Sequence, residues 1–126
     1  MKNGTFTIEE KEYKIASSAL TPIIYKHIFG RDVLVDMQKL KSESEEDKLT
    51  INETIIKLAF VMNKQTALDA PSLMKLSSDD FYIWLNGFDN GDFLDPEVIT
   101  SIINIWLDTS KVSSKVKNLQ GPQTES

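Results

Sequence analysis

The chain has 126 residues with 40% hydrophobic and 26% charged side chains, which is typical of one globular domain with a modest core. Because it contains no cysteine, disulfide scaffolds, thiolate metal sites and cysteine nucleophiles are excluded, and its one histidine, His27, excludes sites built from several histidines. The formal net charge of −5 would repel a phosphate backbone, so we expect no nucleic-acid partner.

Membrane and export signals are missing from the sequence pattern. No uninterrupted apolar run is longer than that at Leu58–Met62, which is far shorter than the about 20 residues that a membrane-spanning helix needs. The first residues, Met1–Ile8, are polar and lack the apolar centre of a signal peptide. We therefore expect a soluble, cytosolic protein without a membrane partner.

The opening segment predicts a β-hairpin. Thr5–Ile8 and Tyr13–Ile15 alternate polar and apolar residues on either side of a charged turn, Glu9–Glu12. A two-stranded ribbon is only marginally stable alone, so we expect it to lie on helices or to pair with something else.

Two helices should follow the hairpin. Thr21 and Pro22 predict a helix start, with the threonine as its cap, and Gly30 is suited to the left-handed residue that ends a helix. Asp32 predicts the cap of the second helix, because an amphipathic run begins directly after it.

The middle of the chain predicts a solvated loop followed by a central helix. Residues 42–48 contain no apolar side chain, and Thr50–Glu53 resembles a capping box at which the third helix would begin. The apolar positions of this helix form a face broad enough for a buried location: Ile51, Ile55, Ile56, Leu58, Ala59, Phe60 and Met62.

Two further helices complete the prediction, one starting at Ser78 after the break at Asp69–Pro71 and one at Asp95–Pro96. The fold class is thus mainly α (α+β), with a short N-terminal β-hairpin followed by about five packed helices in one domain, residues 1–110. A flexible C-terminal tail is predicted at 111–126. The inner faces of the last two helices are predicted to consist of Phe81, Trp84, Leu85, Phe88, Val98, Ile99, Ile102, Ile103 and Trp106.

Residues 86–97 invite comparison with a calcium-binding EF-hand loop, since Gly91 and Glu97 occupy its sixth and twelfth positions. The third position, however, is Phe88, which cannot ligate calcium. An acidic turn in which Asn90 and Gly91 supply positive backbone angles explains the segment better. A degenerate EF-hand module is kept only as the least favoured alternative, and we predict no metal site.

No arrangement of residues predicts catalysis. His27 has neither an orienting carboxylate nor a nucleophile motif beside it, and the neighbouring acids Asp79 and Asp80 are explained by the start of a helix. A glycine-rich phosphate loop is also missing. We therefore predict a protein that is not an enzyme and has no catalytic residues and no cofactor.

Aromatic residues are concentrated in the second half of the chain, with six of them between Phe81 and Trp106. Most should face the core, but apolar residues off the main stripes are typical of helices that also meet a partner. The predicted partner-contact residues, which are equally good candidates for the core, are Tyr82, Trp84, Phe88 and Trp106.

Three segments resemble tail assembly chaperones from long-tailed (siphovirus-type) phages of Gram-positive bacteria. Tyr25 and the following Phe29–Asp32 resemble a tyrosine, Phe-Gly-Arg-Asp and apolar pattern near the start of those proteins. Leu58–Met62 is similar to their mid-chain apolar helix, and Asp80–Leu85 to their acidic–aromatic–x–x–Trp-Leu segment. The resemblance extends from about residue 5 to residue 110.

The resemblance implies a non-enzymatic protein that binds the tape measure protein, keeps it soluble and helps to recruit tail-tube protein. It implies a location in the host bacterial cytoplasm and not in the mature virion, and self-association is left open. Many such proteins are made in two lengths by ribosomal frameshifting, so this chain would be the shorter product, with slippery codons expected at Lys115–Asn118. The alternative is a generic acidic helical protein-binding adaptor or regulator of a phage or host protein.

Overall fold

The computed structural model describes residues 1–41 and 44–118, with side chains for all of these except 40, 41, 45–49 and 108–118. It confirms the predicted α+β fold, a hairpin followed by helices. In chain order the elements are β1 (Lys2–Ile8), β2 (Lys11–Ser17), α1 (Thr21–Phe29), α2 (Val33–Met37), α3 (Glu45–Lys64), α4 (Ala70–Leu73), α5 (Ser78–Leu85) and α6 (Pro96–Asn118), with short 3₁₀ helices at Gln38–Lys41 and Asp92–Leu94.

The hairpin is antiparallel, and its register runs from Lys2 opposite Ser17 to Ile8 opposite Lys11. Its turn consists of Glu9 and Glu10 alone, so it is tighter than the predicted segment 9–12. Both strands pack against α6, and β2 also packs against α3. The helices therefore supply the support that a two-stranded ribbon needs.

The connection between α1 and α2 is formed as predicted. Gly30 ends α1 with a left-handed φ of 68°, and Asp32 caps α2 by accepting a hydrogen bond from the backbone N–H of Leu34 at 2.8 Å. The predicted cap at Thr21 is wrong, because Leu20 occupies the cap position. The Thr21 hydroxyl is buried and donates instead to Oε1 of Gln65 at 2.5 Å, which links the start of α1 to the end of α3.

Helix α3 begins at Glu45, so the predicted start at Thr50 and the predicted loop over residues 45–48 are wrong, whereas Ser44 lies outside the helix. Residues 42 and 43 of that loop lie outside the described residues. Thr50 lies inside the helix, where its carbonyl accepts a hydrogen bond from the Thr54 hydroxyl at 2.9 Å. Glutamate and lysine favour helix, so a run without apolar side chains does not by itself predict a loop. The prediction of a central helix is confirmed, because Leu58–Met62 is fully buried.

The segment after α3 contains a short helix that was not predicted. Asp69 caps α4, and Pro71 lies in its first turn, where a missing N–H costs little. Helix α5 starts at Ser78 as predicted, but its cap is Ser77, whose backbone N–H donates to Oδ2 of Asp80 at 2.9 Å.

Helix α6 begins at Pro96, as predicted, and its inner face includes the buried residues Val98, Ile102 and Trp106. The helix continues to Asn118, past the predicted domain boundary at residue 110. Residues 119–126 lie outside the described residues, so the flexible tail stays a prediction. None of the helices in the described part of the chain combines the length and apolar character needed to cross a membrane.

Candidate interaction surface

The aromatic residues of α5 are mostly part of the core. The ring of Trp84 lies 5.4 Å from that of Phe60 on α3, 4.7 Å from Phe88 and 5.9 Å from Phe93, measured between ring centroids. Its indole Nε1 donates to Oδ1 of Asn63 at 3.2 Å. Trp84 is therefore half-buried and held both by ring packing and by a hydrogen bond from its indole N–H.

Asn63 connects three elements through the two ends of its side chain. While Oδ1 accepts from Trp84 on α5, Nδ2 donates to the backbone carbonyl of Lys14 on β2 at 2.7 Å. The amide thus holds the hairpin and α5 at fixed positions on α3. The bond to Lys14 spans 49 residues of sequence, so no local pattern could have predicted it.

The four predicted partner-contact residues do not form one surface patch. Tyr82 is 62% exposed, Trp84 and Phe88 are half-buried neighbours, and Trp106 is only 4% exposed. Tyr82 is therefore the only one of the four that presents most of its side chain to a partner.

A cleft of about 390 Å³ lies between α3, α5 and the 3₁₀ helix at Asp92–Leu94; we call it the α3–α5 cleft. Two of its lining residues, Tyr82 and Leu94, are 62% and 63% exposed. The other apolar residues that line it are half-buried or buried: Ile56, Leu85, Phe88 and Phe93. The cleft therefore combines an apolar interior with two exposed apolar side chains.

The polar residues that line the α3–α5 cleft, among those whose side chains are described, are three asparagines and one acid. Asn52 donates from Nδ2 to the Phe93 carbonyl at 3.1 Å, which attaches the 3₁₀ helix to α3. Asn86, Asn90 and Asp89 come from the loop after α5. Among the described residues that line the cleft, Asp89 is the one charged residue and none is basic. The described lining is therefore acidic.

The predicted positive backbone angles in the loop at 86–97 are wrong. Gly91 has a φ of −93°, and Asn90 is not among the residues with positive φ. The chain passes from α5 into the 3₁₀ helix without a positive φ, so no left-handed residue is needed. Asp92 accepts from the backbone N–H of Asp89 at 2.8 Å, so its carboxylate stabilises the turn. Within the described residues, no group of three or more histidine, aspartate or glutamate side chains could hold a metal ion.

A second apolar groove, of about 410 Å³, was missed by the sequence reasoning. It lies beside α1 and the start of α2, and its lining includes Ile23 and Leu34, each 55% exposed, together with Lys26 and His27. The sequence could have indicated that Ile23 is exposed. Ile23 and Ile24 are adjacent in a helix, so their side chains point about 100° apart and cannot both face the core fully. Leu94 was missed because the 3₁₀ helix was not predicted.

The sequence reasoning also missed a polar cluster that joins α1 to α2. The Asp36 side chain is 2% exposed and accepts from Arg31 Nη2 at 2.6 Å, from Arg31 Nε at 2.9 Å and from the Tyr25 hydroxyl at 3.2 Å. The hydrogen bonds from Arg31 hold the pKa of Asp36 below its usual value, and burial raises the pKa of Tyr25 well above its usual value. These groups satisfy one another, so their role is structural.

Comparison of the chain with protein-family models, with curated proteins and with solved structures finds no match. Its function is therefore inferred from the residues of the chain itself.

Proposed function

We propose that this protein is a tail assembly chaperone of a long-tailed phage or prophage. In this role it binds the tape measure protein, keeps it soluble and helps to recruit tail-tube protein, without catalysing a reaction. It acts in the cytoplasm of the bacterial host and is not part of the mature virion.

The observation that carries the proposal is that the three segments resembling this family meet in the fold. Phe29 of the Phe-Gly-Arg-Asp segment contacts Phe81 of the acidic–aromatic segment, with ring centroids 5.1 Å apart and planes at 85°. Phe60 of the mid-chain helix also contacts Phe81, at 5.5 Å. The resemblance thus follows residues that jointly build one core, which gives it more weight than three unrelated short matches would have.

The surface is compatible with this role. A protein that keeps another polypeptide soluble needs exposed apolar side chains to contact it and net charge to keep the complex dispersed. The α3–α5 cleft, with Tyr82 and Leu94 exposed, supplies the first, and the net charge of −5 supplies the second.

The proposal predicts that the gene downstream encodes a very long helical protein, and it is tested by co-expressing that protein with the chain. We expect the soluble fraction of that tape measure protein to rise and the two proteins to co-purify. If the tape measure protein is equally soluble without this chain, the proposal is wrong. A tight equimolar complex with a different protein would instead favour the adaptor alternative.

Matched variants connect this result to the cleft. The double variant Tyr82→Ser/Leu94→Ser should lower the soluble fraction of the tape measure protein, because it removes the exposed apolar side chains of the cleft. Ile83→Ser is the control: Ile83 lies next to Tyr82 on α5 and is also exposed, but it does not line the cleft. An equal loss in both variants would argue against the cleft as the contact surface.

A further inference from the structure

We infer that the α3–α5 cleft binds an apolar peptide segment that carries a lysine or arginine. The inference rests on the proposed function and specifies the chemistry of the client segment. Three features carry it: the apolar interior of the cleft, the amide side chains along it and the carboxylate of Asp89, which is unpaired among the described residues.

The interior of the cleft is suited to apolar side chains. Leu85, Phe88 and Phe93 form part of its wall, and Tyr82 and Leu94 extend it towards solvent. A segment that covered Tyr82 and Leu94 would remove their exposed apolar surface from water, which favours binding in proportion to the apolar area buried. A volume of about 390 Å³ accommodates a few side chains and not a whole domain.

The amide side chains indicate that the occupant is a polypeptide rather than a hydrocarbon chain. Within the described residues, the side chains of Asn86 and Asn90 make no hydrogen bond. Each carboxamide offers two N–H donors and one carbonyl acceptor. A peptide backbone needs both kinds of partner when it leaves water, because an unpaired peptide group is costly. A lipid tail would leave these amides without a partner.

The charge of the cleft indicates which peptides it prefers. Among the described residues, the carboxylate of Asp89 has no hydrogen-bond or ion-pair partner, and none of the described lining residues is basic. The net charge of −5 adds to the same field. A cationic side chain on the client is therefore attracted and an anionic one repelled, which affects selectivity and association rate more than affinity. Since Asp89 is exposed, the preference should be modest and sensitive to salt.

The test is an NMR titration of the ¹⁵N-labelled full chain with three short synthetic peptides. The peptides share a leucine-and-serine sequence and differ at one central residue, which is lysine, glutamine or glutamate. We expect chemical-shift changes at Asn52–Ile56 and Tyr82–Leu94, and we expect the lysine peptide to bind about threefold more tightly than the glutamate peptide at low salt. At high salt the three affinities should converge.

Variants separate the contributions of the cleft. Asp89→Asn should abolish the preference for the lysine peptide while binding itself is preserved. Tyr82→Ser should lower the affinity for all three peptides. The control Ile83→Ser should leave all three affinities unchanged. The inference is overturned if no peptide binds, if the shifts fall elsewhere, if the glutamate peptide binds as tightly as the lysine peptide, or if Asp89→Asn leaves the preference intact.

The peptide titration and the co-expression experiment can reject the two proposals separately. Peptide binding in the cleft without any effect on the tape measure protein would retain the cleft chemistry and reject the chaperone role. Solubilisation of the tape measure protein without peptide binding would retain the chaperone role and reject the cleft as its client site.

Discussion

Glu9 and Glu10 form the hairpin turn with left-handed backbone angles, at φ values of 51° and 72°. Such angles are costly for residues that carry a Cβ, and two-residue hairpin turns are therefore usually built from Asn-Gly or Asp-Gly. The turn is nevertheless formed, because the strand register and the packing of both strands on α6 require the chain to reverse at these two residues.

Replacing this pair tests the cost directly. The double substitution Glu9→Asn/Glu10→Gly should raise the free energy of unfolding by about 1 kcal/mol, because asparagine and glycine adopt left-handed angles more readily. Urea denaturation measures the change. Glu9→Gln/Glu10→Gln is the matched control, because it removes the same two charges and keeps the backbone cost. An equal gain in both variants would mean that charge repulsion, not backbone conformation, is what the substitutions relieve.

Gly4 lies on β1 where this strand packs against Ile105 of α6. A Cβ at this position would come within 2.8 Å of Cγ1 of Ile105 and would also clash with its Cδ1. We expect Gly4→Ala to lower the free energy of unfolding by about 1–3 kcal/mol, as overpacked cores commonly do.

A double-mutant cycle identifies the cause of that loss. Ile105→Ala removes both clashing atoms, so the double variant Gly4→Ala/Ile105→Ala should be more stable than the sum of the two single effects predicts. Strictly additive effects would show that Gly4 is required for a reason other than the contact with Ile105.

At the scale of elements, the cluster of Tyr25, Arg31 and Asp36 holds α1 and α2 together. The buried Asp36 carboxylate interacts with the guanidinium of Arg31 in the connection and with the phenol of Tyr25 on α1. A buried acid without such partners would be strongly destabilising. Arg31 therefore has a structural task within the Phe-Gly-Arg-Asp segment, alongside the helix stop at Gly30 and the cap at Asp32.

The cluster predicts a pH dependence with a definite sign. Hydrogen bonds from Arg31 lower the pKa of Asp36 in the folded state below its usual 3.8. Its contribution to stability is therefore fully present above the unfolded-state pKa and is lost as the pH falls through the lower, folded-state value. The stability difference between the wild type and Asp36→Asn should be largest near neutral pH and should shrink below about pH 4. Denaturant titrations of both proteins across this range measure it; a difference independent of pH would contradict the assignment.

Sequence reasoning was reliable here where one residue determines a local backbone feature. Gly30 and Asp32 predicted the end of α1 and the start of α2 because a left-handed stop and a side-chain cap depend only on nearby atoms. It failed for Thr21, whose hydroxyl could have served as a cap but bonds to Gln65 across 44 residues. The partners of Asp36 and Asn63 were likewise invisible, because they depend on how elements pack.

At the scale of the whole molecule, the division between core and surface separates residues that look alike in the sequence. Tyr82 and Trp106 both lie in helices and both were predicted as partner contacts, yet one is mostly exposed and the other is buried. Helical periodicity places a side chain on a face of its own helix. It does not show how far neighbouring elements cover that face. The sequence alone therefore could not distinguish the exposed Tyr82 from the buried Trp106 as a contact residue.

This division yields a prediction that compares stability with binding. Trp106→Ala should lower the free energy of unfolding by about 3–5 kcal/mol, because it removes a large buried ring, whereas Tyr82→Ser should change it by about 0.5 kcal/mol or less. Only Tyr82→Ser should weaken client binding under conditions in which both variants are fully folded, as checked by circular dichroism and urea denaturation. If folded Trp106→Ala lost client binding and Tyr82→Ser kept it, the buried aromatic core would have to open towards the client, and the contact surface would not be the cleft.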